Sequence, residues 1–344
     1  MTPPTPSTPE APTILRARTP GDLLAYVPVV FGFHPTDSVA MLSLGGGEPC
    51  HARIDLPTTL DDVRVVTRHL ADAAKRNGAD RVAVIVYTDS APAARRVVER
   101  LDTRLQRAGI DLVCAARADG THWWALRDSG RGEEGPGTPY DLRTHPFTAQ
   151  AVLDGTVVLG SRDDLAATLL GDRLEQDRLG LVADDAADRL VEVVRAAGAR
   201  AALVTEGRWV QQRVRAYLAE PVPLDDVDAA RLAVAILTSI EVRDVAWAEL
   251  DRDTAARHVQ LWRDLVRRLP EELRAPPAGL LAFAAWQAGH GALAWCAVDV
   301  CQASDPDHGL AGLVAQALAG ALPPSAWTPL DASMVTLFHP RPES

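Results

Sequence analysis

Residues 38–56 read SVAMLSLGGGEPCHARIDL, and they decide the fold class. In the second part, Ala52, Ile54 and Leu56 alternate with His51, Arg53 and Asp55. Strict alternation over six residues predicts a strand with one dry and one wet face. The first part is a short β-favouring run, and Gly45-Gly46-Gly47 between the two is a turn signal, so the pair predicts a β-hairpin. If Leu44 pairs near Pro49, the register sets Ser38 opposite Asp55 and Ala40 opposite Arg53.

Outward from this hairpin, strands and helices alternate. Thr58 or Thr59 caps a helix to about Asn77, with Leu60, Val63, Leu70 and Ala74 on one stripe. Arg81–Tyr87 (RVAVIVY) is apolar after its first residue, as a strand covered on both faces must be. A second amphipathic helix spans about Ala91–Ala108, and Asp111–Ala116 and Thr121–Arg127 flank an Asp119-Gly120 hairpin signal. Thr156–Gly160 offers one more strand, and Ser161 with Asp164 resembles a capping box for a helix through Leu170. The fold class is therefore α/β, a mixed sheet with β-hairpins and flanking helices, followed by an all-α part. Helical patterns recur at 185–197, 207–219, 224–250 (broken), 254–268, 277–288, 291–303 and 309–321. They are separated by Gly or Pro, and no fixed-period repeat joins them. The expected organisation is a leader at 1–13, an α/β domain at 14–172, a helical bundle domain at 173–335 and a tail at 336–344.

Composition narrows the function classes. The 344 residues are 47% hydrophobic and 24% charged, the make-up of a globular chain. Thirty-five basic against forty-six acidic residues give a formal net charge of −11, which repels nucleic acid and anionic lipid. No apolar window is long enough to span a membrane, because Gly289-His290-Gly291 interrupts Ala278–Val298. The opening residues carry five prolines and no export signal, and Cys50, Cys114, Cys296 and Cys301 show no CxxC spacing. A cytoplasmic protein with reduced thiols and no metal is expected.

Leu15–Ser38 (LRARTPGDLLAYVPVVFGFHPTDS), Arg53–Pro57, Gly160-Ser161-Arg162 and Trp286–Ala294 together resemble DUF4192, an actinobacterial family described as a domain of unknown function. The resemblance covers most of the chain and implies no activity. In many members of that family a cysteine cluster follows the tryptophan strand; here Trp124–Pro139 contains no cysteine, so no metal site is implied.

Walker A, GxGxxG, GxSxG and HExxH signatures are all missing from the sequence. The best constellation is the entrance of the first hairpin. His34 and Asp37 are candidate proton carriers, Arg53 a candidate anion clamp, and Ser38 and Asp55 their neighbours. The plainer reading pairs Arg53 with Asp55 on one strand face and makes His34 and Asp37 turn formers. Thr88-Asp89-Ser90 follows the most buried strand, at the edge where open α/β sheets bind ligands, although Asp89 or Ser90 also reads as a helix cap. Trp123 and Trp124 point to opposite faces, and one is expected to bury against the helical half. His290 between glycines reads as a helix–helix turn.

The reading that follows is a non-enzymatic binding or scaffold module without a cofactor, engaging a protein partner or a second copy of itself. The alternative is an enzyme for a small anionic or phosphorylated metabolite, with His34 or Asp37 moving the proton and Arg53 holding the anion.

Overall fold

The computed structural model describes residues 17–126, 135–330 and 335–338. The expected leader, residues 127–134 of the long polar loop, and most of the tail lie outside them. The hairpin pairs β1 (Ser38–Ser43) with β2 (His51–Asp55), antiparallel, with Ser38 opposite Asp55, Ala40 opposite Arg53 and Leu42 opposite His51. β3 (Arg81–Tyr87) lies antiparallel on the other side of β1 and parallel to β4 (Asp111–Ala118). β5 (His122–Ala125) and β6 (Thr138–Pro139) complete a mixed sheet of order β2-β1-β3-β4-β5-β6.

A parallel pair needs a crossover, which α3 (Ala91–Arg107) supplies between β3 and β4. Together with α2 (Leu60–Arg76) it buries one face of the sheet. Val39, Met41, Val82, Val84, Val86 and Leu112 meet Val63, Leu70, Val97, Leu101 and Leu105 there. The Gly45–Gly47 turn packs on the Asn77–Gly78 turn so closely that a Cβ on Gly46 would fall 2.1 Å from the Gly78 carbonyl oxygen. Close approach explains those glycines.

The opposite face carries a helix that the sequence reading did not assign, α1 (Pro20–Phe31). Thr19 and Asp22 close a capping box around Pro20, and Gly32 (φ +79°) ends the helix by donating to the Pro28 carbonyl. Leu23, Leu24 and Val27 pack on Ala40, Leu42, Ala83, Ile85 and Tyr87. The segment 156–160 does not join the sheet as a strand. Leu159 instead makes a single bridge to Phe33, with bonds to Gly32 and His34, because its neighbour is a loop and not a strand. The Asp119-Gly120 hairpin forms, but only Gly120 has φ > 0, and Asp119 closes the turn to His122. That matches a Gly-first turn better than one with two left-handed positions.

Among the described residues the rest of the chain is helical: α4 (Pro146–Leu153), α5 (Arg162–Ala167), α6 (Arg173–Ala197), α7 (Ala199–Ala219), α8 (Asp226–Thr238), α9 (Ile240–Ala248), α10 (Ala255–Arg268), α11 (Ala275–Gln287), α12 (Gly291–Ser304) and α13 (Gly309–Ala319). α11 is buried along its whole length and is the axis on which α10, α12 and α13 pack. Phe33, Leu165 and Leu169 also enter this core. α6 starts twelve residues earlier than its expected start at 185. Along its 25 residues it buries only Leu179 and Ala183 outright, so its apolar period is faint in the sequence. Arg162–Asp299 (2.9 Å), Arg252–Glu48 (3.3 Å) and Asn77 Nδ2 to the Ala321 carbonyl (3.0 Å) link the sheet-bearing and helical parts.

Candidate functional site

The hairpin register gathers Ser38, Arg53 and Asp55 on the α1 side of the sheet. Arg53 is 17% exposed; its Nη1 pairs with Asp55 Oδ1 at 2.5 Å and its Nη2 donates to the Thr36 carbonyl at 3.3 Å. Its guanidinium also lies 5.9 Å from the Phe33 ring centroid. Asp55, 83% exposed, is shared at longer range with Arg162. Burial works against the Arg162 charge, and Asp299, then Cys296 and Asp55, outweigh it.

His34 and Asp37 do not complete a proton relay. The His34 ring is exposed, and desolvation on its protein side lowers its pKa. Among the described residues no hydrogen bond joins that ring to Asp37, Ser38 or Asp55; its backbone N–H goes to Leu159. Asp37 stands exposed in a left-handed conformation (φ +38°), and its carbonyl accepts from Leu56. Ser38 is fully buried and its hydroxyl has no partner, so no base touches it.

The same face holds two residues that the sequence reading did not single out. Tyr87 lies across β1 from Asp55, so Ser38 is flanked by both. Its hydroxyl is buried without a partner, and burial, then Tyr140, raises its pKa well above the ordinary value. His51 meets Tyr26 of α1 edge-on, with ring centroids 6.0 Å apart. Burial lowers its pKa, and its Nδ1 is unpartnered. With Arg53 Nε, four buried side-chain polar atoms without a hydrogen-bond partner sit on this face. Each such atom costs about 1–3 kcal/mol. His51 was legible as a wet-face residue of β2. Tyr87 was not, because it ends an apolar run.

At the carboxyl edge of β3 the polar atoms are committed locally. Thr88 Oγ1 accepts from the Ser90 N–H at 3.1 Å, and the Thr88 carbonyl accepts from Arg117 Nη1 at 3.1 Å. Ser90 Oγ caps α3 through the Ala93 N–H at 3.3 Å, and Asp89 is exposed. Neither Trp123 nor Trp124 packs on the helical core. Arg117, opposite Trp124 in the ladder, stacks on its ring at 3.6 Å, and Gly137 abuts that ring's other atoms. Trp123 packs on the α1-side cluster beside Tyr140 and Leu142. The register itself supplies the cover that the helical half was expected to give.

In the helical part the aromatics face inward. Trp247 stacks on Trp327 at 5.2 Å, both against Phe283, and Trp262 Nε1 donates to His258 Nδ1 at 3.1 Å. None of the eight tryptophans is exposed. The exposed apolar surface lies elsewhere. Val152, Leu153, Val157, Leu170, Leu174 and Leu181 are each more than 60% exposed, against only Leu60 and Ile240 in the rest of the described chain. Leu174 and Leu181, seven apart on α6, share one side of it. Around them residues 172–192 carry seven carboxylates and three arginines.

Among the described residues no cluster of His, Cys, Asp or Glu is arranged to hold a metal ion, and no helix is long and apolar enough to cross a membrane. No curated protein and no solved structure matches the chain. A family model does: residues 20–325 of the 344 match DUF4192, a domain of unknown function. From the α1 capping box to the segment beyond α13, this chain belongs to the DUF4192 family.

Proposed function

We propose that the chain is a non-enzymatic binding module whose partner is a basic, amphipathic segment of another protein, seated on the surface of residues 152–181. One observation carries this reading: among the described residues, six of the eight most exposed large aliphatic side chains fall in that short stretch. Covering one such side chain contributes about 1.5–3 kcal/mol, and a concentration of exposed apolar side chains in one stretch of chain supports an interaction surface. The carboxylates around Leu174 and Leu181 select a basic partner. A second copy would bring a formal charge of −11 against the same sign, which disfavours self-association. The non-enzymatic part rests on the hairpin entrance, where no base touches the Ser38 hydroxyl. Four free cysteines support a cytoplasmic setting.

A photo-crosslinking residue at Leu181, followed by identification of the attached peptide, tests this. The expected peptide is basic with an apolar stripe, and Leu174→Glu with Leu181→Glu weakens its binding about tenfold or more without changing Tm. A partner bound equally by the double variant, or sedimentation showing self-association through this surface, overturns the reading.

A further inference from the structure

Buried hydrogen-bonding groups are almost always satisfied, so four unsatisfied ones on one face of one sheet call for a cause. The face is set by register. Ser38 is flanked by Asp55 and Tyr87, Arg53 sits opposite the next residue along that face, and His51 follows two residues further down β2. With strands about 4.8 Å apart and a rise of about 3.3 Å per residue, the patch spans about 10 by 13 Å, the footprint of a metabolite. α1 lies above it through Leu23, Leu24 and Val27.

We propose that this face is a binding site for a small organic anion, with its carboxylate or phosphate group taken by Arg53 and its body by the hydroxyls of Ser38 and Tyr87. Leu159 and Arg162 of the 152–181 stretch border this site, but the proposal does not rest on the partner surface. The donor set selects the class. Arginine presents planar paired N–H groups that match the oxygens of carboxylates and phosphates, and both hydroxyls are free to donate. The Nε of Arg53 is buried and unpartnered, and its Nη1 is held by Asp55.

Asp55 is the internal stand-in for the ligand. Its carboxylate is mostly in solvent and already lies within the field of Arg162, so an incoming anion can displace it from Arg53. Entry is from the β2 edge of the sheet, where Arg53 and Asp55 meet solvent. To reach the sealed hydroxyls the ligand displaces part of α1 or of the connection at 32–37. That connection begins at Gly32 (φ +79°), ends at Asp37 (φ +38°) and is tied to Arg53 through the Thr36 carbonyl. His51 and Tyr26, edge to face, close the far end of the patch. Nothing in this arrangement transfers a proton or a group; the site binds.

The test is titration of the full chain with inorganic phosphate and with succinate, followed by calorimetry and thermal unfolding. Sodium chloride at equal ionic strength and glycerol are the controls. Both anions should bind, and the exposed substitution Asp55→Asn, which removes the competing carboxylate, should strengthen binding about tenfold, the factor an ordinary charge-assisted pair represents. Arg53→Ala should abolish it. Tyr87→Phe should raise the Tm of the ligand-free protein while weakening both anions, a pair of opposite effects that a packing role would not give. A preference for phosphate or for succinate in Asp55→Asn identifies which head group the site takes. The proposal is overturned if Asp55→Asn binds neither anion better than the parent chain, or if Tyr87→Phe lowers the ligand-free Tm.

Discussion

The two faces of the sheet are built from alternate residues of the same strands, yet they differ in kind. Toward α2 and α3, Val39, Met41, Val82, Val84 and Val86 form an apolar layer. Toward α1, a smaller apolar layer of Ala40, Leu42, Ala83 and Ile85 is bordered by Ser38, Tyr87, His51 and Arg53, each with a buried polar atom left without a partner. Backbone pairing is common to both faces, so the difference lies in side-chain chemistry alone. Both faces pack apolar side chains, but only the α1 face gives up stability at a row of polar positions, the usual mark of a surface shaped for something besides folding.

The largest effect should come from the apolar face. Leu101→Ala removes a fully buried side chain of α3 and should cost about 2–5 kcal/mol in urea denaturation. A loss well under 1 kcal/mol would blur the contrast. Next comes a buried histidine with both nitrogens satisfied. His258 accepts from Trp262 and lies 3.1 Å from the Glu249 carbonyl. His258→Leu should cost about 2–3 kcal/mol by orphaning those two groups, whereas His51→Leu on the polar face should cost far less.

His258 also gives the comparison a pH axis. Burial pushes its pKa from 6.5 to about 4, against smaller opposing effects from Glu249 and Asp251. The folded state thus resists a proton that the unfolded chain accepts. Stability from this residue is complete above pH 6.5 and declines as pH falls toward 4, and His258→Leu should flatten that limb of the pH–stability curve. A smaller effect is expected at the lid of the polar face. Thr19→Ala opens the α1 capping box and should cost about 1 kcal/mol, measured by thermal unfolding. The smallest is Ser38→Ala, expected to stabilise by a few tenths to about 1 kcal/mol because it deletes an unpaired hydroxyl.

How much of this was legible follows from which interactions are local. The alternation of Ala52, Ile54 and Leu56 fixed the hairpin register, and with it the meeting of Ser38, Arg53 and Asp55, because strand pairing across a short turn is a matter of counting. α1 escaped although Thr19-Pro20-Gly21-Asp22 spells a capping box. Pro28 inside it, and the β-branched Val27, Val29 and Val30, oppose helix locally, and packing on the sheet overrides them. Tyr87 escaped because the last residue of an apolar strand looks the same in sequence whether its hydroxyl finds a partner or not. The acidic surface of α6 was hidden for the converse reason: a helix that buries only Leu179 and Ala183 outright shows almost no period.

The sharpest check on the polar face is the unfolding free energy of ligand-free Tyr87→Phe against the parent chain. An increase of about 1 kcal/mol is expected, since the change removes only a buried hydroxyl that bonds to nothing. A decrease would mean that the hydroxyl is satisfied in the folded protein, and the division between a structural and a functional face would fall with it.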